Sequence, residues 1–153
     1  MPVFVSDEKL GAEKRKVIDV ALKILAGFIK ADGCSFMLRD ETSDEIEIVA
    51  AAEPDAGSAN KKLGIKIKVG ERVAGRAVSE KKPFLIVGEV SQNRSFAHLA
   101  KYENITSGLS VPVIKNGRAI GVINAKKLTS KEVLSLQDIE TVRMIADVVA
   151  EEF

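Results

Sequence analysis

The chain has 153 residues, 46% apolar and 29% charged, the balance of a soluble globular fold with room for one sizeable core but not two. Its 23 basic and 22 acidic residues nearly cancel, so it lacks the concentrated positive field with which a dedicated nucleic-acid binder displaces counterions. A single cysteine, Cys34, excludes an intramolecular disulfide and any multi-cysteine metal site.

Residues 1–153 read as one domain with its core over about 17–149. Cys34 lies in an apolar stretch, where a free thiol behaves as a small buried hydrophobe. The sequence contains no signal peptide, no lipidation motif and no apolar run near ~18 residues, which points to the cytoplasm and away from a membrane. The Lys14-Arg15-Lys16 cluster reads as the solvated face of a helix.

Asp7 is a plausible helix start and Asp32-Gly33 a clear stop. Between them, Val17, Ala21, Ile24 and Phe28 form one helical stripe, and Ile18, Leu22, Leu25 and Ile29 form a second beside it. An apolar arc that wide predicts contact with two partners, a sheet and another helix. Residues 34–40 and 45–53 read as a strand pair joined by Glu41-Thr42-Ser43-Asp44, and 54–62 as a polar surface loop or frayed turn. Residues 65–69 alternate as a half-buried strand should. Residues 70–82 then suggest a short helix ended by Pro83, with a brief strand at 84–87. Residues 91–105 begin polar and suit a loop followed by helical turns from Ser95. Near the C-terminus, Ser135 and Asp138 resemble a capping box opening a helix whose stripe runs through Ile139, Val142, Ile145 or Ala146, and Val149.

Two apolar runs flank Lys115-Asn116-Gly117-Arg118, and Asn-Gly is the strongest short-range hairpin signal. If Lys115 pairs with Arg118, counting outward puts Leu109, Val111, Val113, Ile120, Val122 and Asn124 on one face. Ser110, Pro112, Ile114, Ala119, Gly121 and Ile123 fall on the other. The second face is smoother and suits close helix approach, which leaves the bulkier first face toward the irregular segments. The element order predicts an α+β fold: a central antiparallel sheet of five or six strands, terminal helices on one face, short helices and loops on the other. Strand–helix alternation of the Rossmann kind is absent, and Gly70-Glu71-Arg72-Val73-Ala74-Gly75 has neither Walker nor GxGxxG spacing.

These pieces in this order resemble a GAF domain, the small-molecule-sensing module of signalling proteins, over nearly the whole chain. The family's G-x-G-x-x-G turn, short helix and G-x-P-hydrophobic-hydrophobic element correspond to residues 70–75 and Lys82-Pro83-Phe84-Leu85-Ile86. Arg72 and Lys82 stand where the family pattern has glycine, which implies a locally different turn. Asn93-Arg94-Ser95-Phe96 loosely matches a D-x-R-F-like element. Ser107-Gly108-Leu109-Ser110-Val111-Pro112-Val113 closely matches S-x-L-x-V-P-L, and Gly121-Val122-Ile123-Asn124 matches G-V-hydrophobic-N.

The resemblance implies a ligand pocket between the bulky hairpin face and residues 87–106. Its candidate residues are Val87, Arg94, Phe96, His98, Ser107, Leu109, Val111 and Asn124. Asn124 is either a polar anchor in an apolar pocket or a sheet-edge residue satisfying loop backbone. Arg94 would pair with an anionic ligand group or lie exposed, and Phe96 would wall the pocket or tether the loop. His98, the sole histidine, rules out a multi-histidine metal site and leaves at most one axial haem ligand, a rarer reading than a pocket-rim histidine. Haem and bilin are not expected, since bilin attachment needs a cysteine in the pocket segment and Cys34 is elsewhere. The cyclic-nucleotide motif of the family cannot be placed.

Three functions follow from these features. The leading one is a regulatory small-molecule sensor of a signalling or transcription-control protein, relaying binding through its terminal helices. The second is an interaction module without a ligand, and both imply a homodimer through the helices over residues 17–29 and 139–149. The third, catalysis of the free methionine sulfoxide reductase kind, lacks a resolving cysteine, so no enzyme and no catalytic residue is expected.

Overall fold

The computed structural model describes residues 2–87, 105–128 and 132–153; the readings placed on Arg94, Phe96 and His98 lie outside these residues. β1 (Val3–Ser6) is followed by a 3₁₀ turn (Glu8–Leu10), and α1 runs Ala12–Ile29. Asp7 caps the 3₁₀ turn, accepting from the Lys9 N–H at 3.0 Å, and the long helix starts only after Gly11. β2 (Gly33–Asp40) and β3 (Glu45–Glu53) form the expected pair. In their loop the Asp40 carboxylate accepts from the Thr42 N–H and hydroxyl at 2.9 and 2.8 Å, a local turn that any Asp-x-Thr favours.

The polar stretch expected as a loop instead holds α2 (Ala56–Lys62). Asp55 caps it by accepting from the Ser58 N–H at 2.8 Å, and only Ala59 is buried, so the segment shows almost no apolar period. β4 (Lys66–Lys68), α3 (Arg72–Glu80) and β5 (Phe84–Val87) follow in the expected places. β6 (Ser107–Lys115), β7 (Arg118–Lys127) and α4 (Leu136–Ala150) complete the described elements. The capping box of α4 is formed: Ser135 and Asp138 exchange side-chain-to-backbone bonds of 2.8 and 3.3 Å.

Among the described residues all strand pairs are antiparallel, in the order β1-β3-β2-β7-β6-β5. β4 shares with β1 the remaining edge of β3, taking residues 45–47 where β1 takes 50–53. The sheet thus has seven strands, one beyond the five or six expected, because β1 is a four-residue edge strand too short to carry a readable pattern. The α+β class holds. α1 and α4 cover one face over Leu22, Leu25, Phe36, Val111, Ile123 and Val142, while α3 covers the other over Met37, Ile46, Ile48 and Val122. Burying each such side chain contributes roughly 1.5–3 kcal/mol.

The hairpin turn is as expected, with positive φ at both Asn116 (52°) and Gly117 (78°) and Lys115 opposite Arg118. The faces are not. A bulge between Val113 and Ile114 sets Val113 opposite Gly121 and skips Ile120, so every pair beyond it shifts by one. Leu109, Val111 and Val113 therefore join Ile123 and Ala125 against the helices. The bulkier face of β6 serves the main core, and only Val122 and Asn124 of the expected ligand face lie on the α3 side.

Candidate functional site

A partly open cavity of about 60 Å³ lies between the α3 side of the sheet and the start of α3. Its walls are apolar, with Met37, Ile48, Ile65, Ile67, Val73 and Ile105. Strand alternation explains the supply: in β2, Ser35 and Met37 face the cavity, and Phe36 between them faces the helices.

Across the floor runs a polar strip. Ser35 and Ser110 both stand directly opposite Asn124, on the strands flanking β7. The Ser110 hydroxyl donates to Asn124 Oδ1 at 2.6 Å, and Asn124 Nδ2 donates to Ser35 Oγ at 3.2 Å. A carboxamide has two N–H donors and two lone pairs, so each end of Asn124 keeps capacity beyond these two bonds. Asn124 sits on a central strand, not at a sheet edge.

At one end of the cavity Glu53 is nearly fully buried. Lys126 Nζ approaches its Oε1 at 2.8 Å and Lys62 Nζ approaches the same oxygen at 3.9 Å. Gly33 makes the space for this cluster: a Cβ there would stand 2.5 Å from Lys126 Cε and 2.9 Å from Glu53 Oε2. The sequence reading treats Gly33 as a helix stop, whereas Lys30 takes the left-handed position that ends α1. Arg72, the first residue of α3, also borders the cavity and carries a left-handed backbone at φ 59°. Cys34 borders the cavity too, but its thiol sits in the helix-side core, 3.8 Å from the Leu22 carbonyl. Burial pushes that thiol up to about 12; Glu53 adds to the shift and Lys126 opposes it.

Of the residues expected from the sequence, the structure brings Leu109 and Asn124 to the cavity, Leu109 with its side chain in the helix-side core. Val111 is in that core as well. Ser107 is fully buried elsewhere, where its hydroxyl accepts from the Leu134 N–H at 2.9 Å and so anchors the approach to α4. Val87 ends the edge strand β5, 54% exposed, and is not among the described cavity residues. Sequence reasoning missed Ser35, Ser110, Arg72 and the Lys62–Glu53–Lys126 cluster. Counting along the hairpin from its turn would have found Ser110 once the bulge was known, whereas Ser35 comes from the long-range β2–β7 pairing. Among the described residues no group of three or more metal-ligating side chains is gathered, and no helix is long and apolar enough to cross a membrane.

The model of the GAF domain family matches residues 12–151. No curated protein matches the sequence. Among solved structures, the chain is similar to the GAF domain of a phosphoenolpyruvate-protein phosphotransferase from Coxiella burnetii, at 19% identity and a TM-score of 0.75, covering 93% of this chain and 82% of that one. It is similar to a GAF domain/HD domain protein from Geobacter sulfurreducens, at 12% identity and a TM-score of 0.76, covering 94% and 93%. A free methionine-R-sulfoxide reductase from Neisseria meningitidis, solved with its substrate, is similar at 23% identity and a TM-score of 0.69, covering 95% and 82%.

Proposed function

The chain belongs to the GAF domain family, and on that premise we propose that it acts as a single regulatory domain that binds a small molecule in the cytoplasm. The observation that carries this reading is the Ser35–Asn124–Ser110 strip on the floor of an otherwise apolar-walled cavity. A few polar groups converging in an apolar pocket fix a ligand's orientation, and the walls supply the affinity. Strand β2 offers the route outward. Ser35 and Met37 meet the cavity, while the Phe36 ring lies 5.8 Å from the ring of Phe153, just beyond α4. A ligand that favours one arrangement of β2 thereby biases the seating of the terminal helices. Native mass spectrometry of gently purified protein, followed by a thermal-shift screen of metabolites, tests the reading. A carried-over or stabilising small molecule supports it; a protein that carries nothing and responds to nothing in a broad panel sinks it.

Homodimerisation through α1 and α4 belongs to the same proposal. Val20, Ile24 and Phe28 are spaced four apart on α1 and exposed, Phe28 by 77%, and Met144 and Val148 repeat the pattern on α4. Apolar residues at that spacing form the seam of a helical bundle with a second copy. Phe28→Asp should convert a dimer to a monomer by size-exclusion light scattering while leaving the circular-dichroism spectrum unchanged. A parent protein that is monomeric at high micromolar concentration would remove the dimer from the proposal.

The likeness to a reductase carries the fold alone, and the chemistry of Cys34 argues for a regulatory role. Disulfide exchange needs a thiolate and a resolving partner. Cys34 is the chain's one cysteine and is held neutral by burial. Folded protein should resist alkylation at pH 8 and react only in denaturant. The raised titration also has a stability sign: the neutral buried thiol's contribution is complete below about 9 and is lost as pH rises toward about 12. Cys34→Ala should flatten that alkaline decline by at most about 1.4 kcal/mol per pH unit.

A further inference from the structure

We propose that the ligand presents a neutral amide edge, an N–H beside a C=O as in a lactam or a primary carboxamide, and that Asn124 pairs with it between Ser35 and Ser110. This rests on the small-molecule reading above and adds the chemical class of the ligand. The three side chains lie in one row on central strands, Ser35 on β2 and Ser110 on β6 each directly opposite Asn124 on β7. Around them the same face of the sheet is packed with Met37, Ile48 and Val122. A face built for stability alone would carry apolar side chains in this row too, because a dried row of hydrogen-bonded polar groups gains little over packed methyl groups.

The hydrogen bonds run one way along the row. Ser110 donates to Asn124 Oδ1 at 2.6 Å, and Asn124 Nδ2 donates to Ser35 Oγ at 3.2 Å. These bonds hold the amide plane from both flanks, so it meets a ligand already oriented. They also polarise it: an amide whose oxygen accepts a hydrogen bond is a better donor through its nitrogen. A carboxamide carries two N–H groups and two oxygen lone pairs, so one of each remains at Asn124, which borders the cavity.

That pair of sites selects the ligand group. A carboxylate brings acceptors only and an ammonium donors only, so either one meets half of the edge and leaves the other half unpaired. A ketone or an ether reaches the N–H alone. An amide supplies a donor and an acceptor at matching separation, and two such edges join by a pair of N–H···O bonds, much as asparagine joins the donor–acceptor edge of adenine. The apolar walls, Ile65, Ile67, Val73 and Ile105 among them, then take the hydrocarbon part of the molecule.

The test uses the full chain and two probes of matched shape, the lactam 2-piperidone and the ketone cyclohexanone, which lacks the N–H. Each is titrated to high millimolar concentration into isotopically labelled protein and followed by proton–nitrogen NMR. The parent is compared with the Ser35→Ala, Ser110→Ala, Asn124→Leu triple variant, which leaves none of the three groups stranded. The parent should bind the lactam at least about tenfold more tightly than the ketone, since a site built to pair polar groups rejects an analogue that leaves one unpaired. The backbone signals of residues 35, 110 and 124 should move, and the triple variant should bind the two probes equally. Equal binding by the parent, shifts confined to other parts of the chain, or a preference that survives in the triple variant overturns the assignment. If the triple variant does not fold, the parent's own preference and the position of its shifts decide. Binding of neither probe overturns the assignment as well. A metabolite without an amide edge that stabilises the protein then leaves the sensor reading standing, whereas a silent metabolite screen sinks both.

Discussion

Glu53→Ala is expected to lower the unfolding free energy by about 3–5 kcal/mol, the usual cost of removing one partner from a buried ion pair. The glutamate side chain is 5% exposed, and its removal leaves Lys126 and Lys62, at 12% and 17%, facing each other across the vacated oxygen. Each ammonium would then lose the Glu53 charge in a region where water is scarce, and the two would repel. The loss should be partly relieved in a Glu53→Ala, Lys62→Met double variant, which takes away one of the two facing positive charges. Urea unfolding followed by circular dichroism measures both, with the slope of the transition checked for constancy. A loss below about 1 kcal/mol for Glu53→Ala would mean that the cluster behaves as a solvated surface pair instead.

Asn124→Leu should abolish the ligand-induced rise in Tm, and the structure alters what it should do to stability. A residue at a sheet edge would be replaced at little cost. Here the substitution strands the hydroxyls of Ser110, which is 1% exposed, and Ser35 on adjacent strands. Leaving buried polar groups unsatisfied costs about 1–3 kcal/mol, so a loss in that range is expected. Replacing all three positions, as Ser35→Ala, Ser110→Ala and Asn124→Leu, removes the stranded groups and should recover most of the stability without recovering the ligand response. That combination separates a binding role from a structural one. If the triple variant is stable and still responds to the ligand, the strip is not the anchor.

The site was legible from the sequence only in fragments. Asn124 was singled out, but by a register that counts without a bulge, which gave it Leu109 as its partner instead of Ser110. The Asn-Gly turn specifies where the hairpin begins; it carries no information about an extra residue three positions up the strand, because a bulge is settled by packing on both faces at once. The bulge in β2–β3 between Phe36 and Met37 is equally silent in the sequence, yet it helps decide which side chains reach the cavity. The Lys62–Glu53–Lys126 cluster was invisible for a different reason. Its members come from α2, β3 and β7, and each alone looks like a solvated charge at the end of an element.

What the sequence determined by itself was local. The two-stripe pattern of α1, the capping box of α4, the Asn116-Gly117 turn and the alternating strands all follow from forces acting within a few residues. Their order then narrowed the fold to a sheet with helices on its two faces. Weak local signals left β1 and α2 unseen, since a four-residue edge strand and a helix burying one alanine gain little from their own pattern. Only the tertiary structure decided the polar strip, the charged end of the cavity and the strained setting of Arg72. Each depends on groups distant in the chain meeting at a register that the whole packed sheet selects. Periodicity reports which face a side chain prefers, but what it meets there is fixed by long-range pairing.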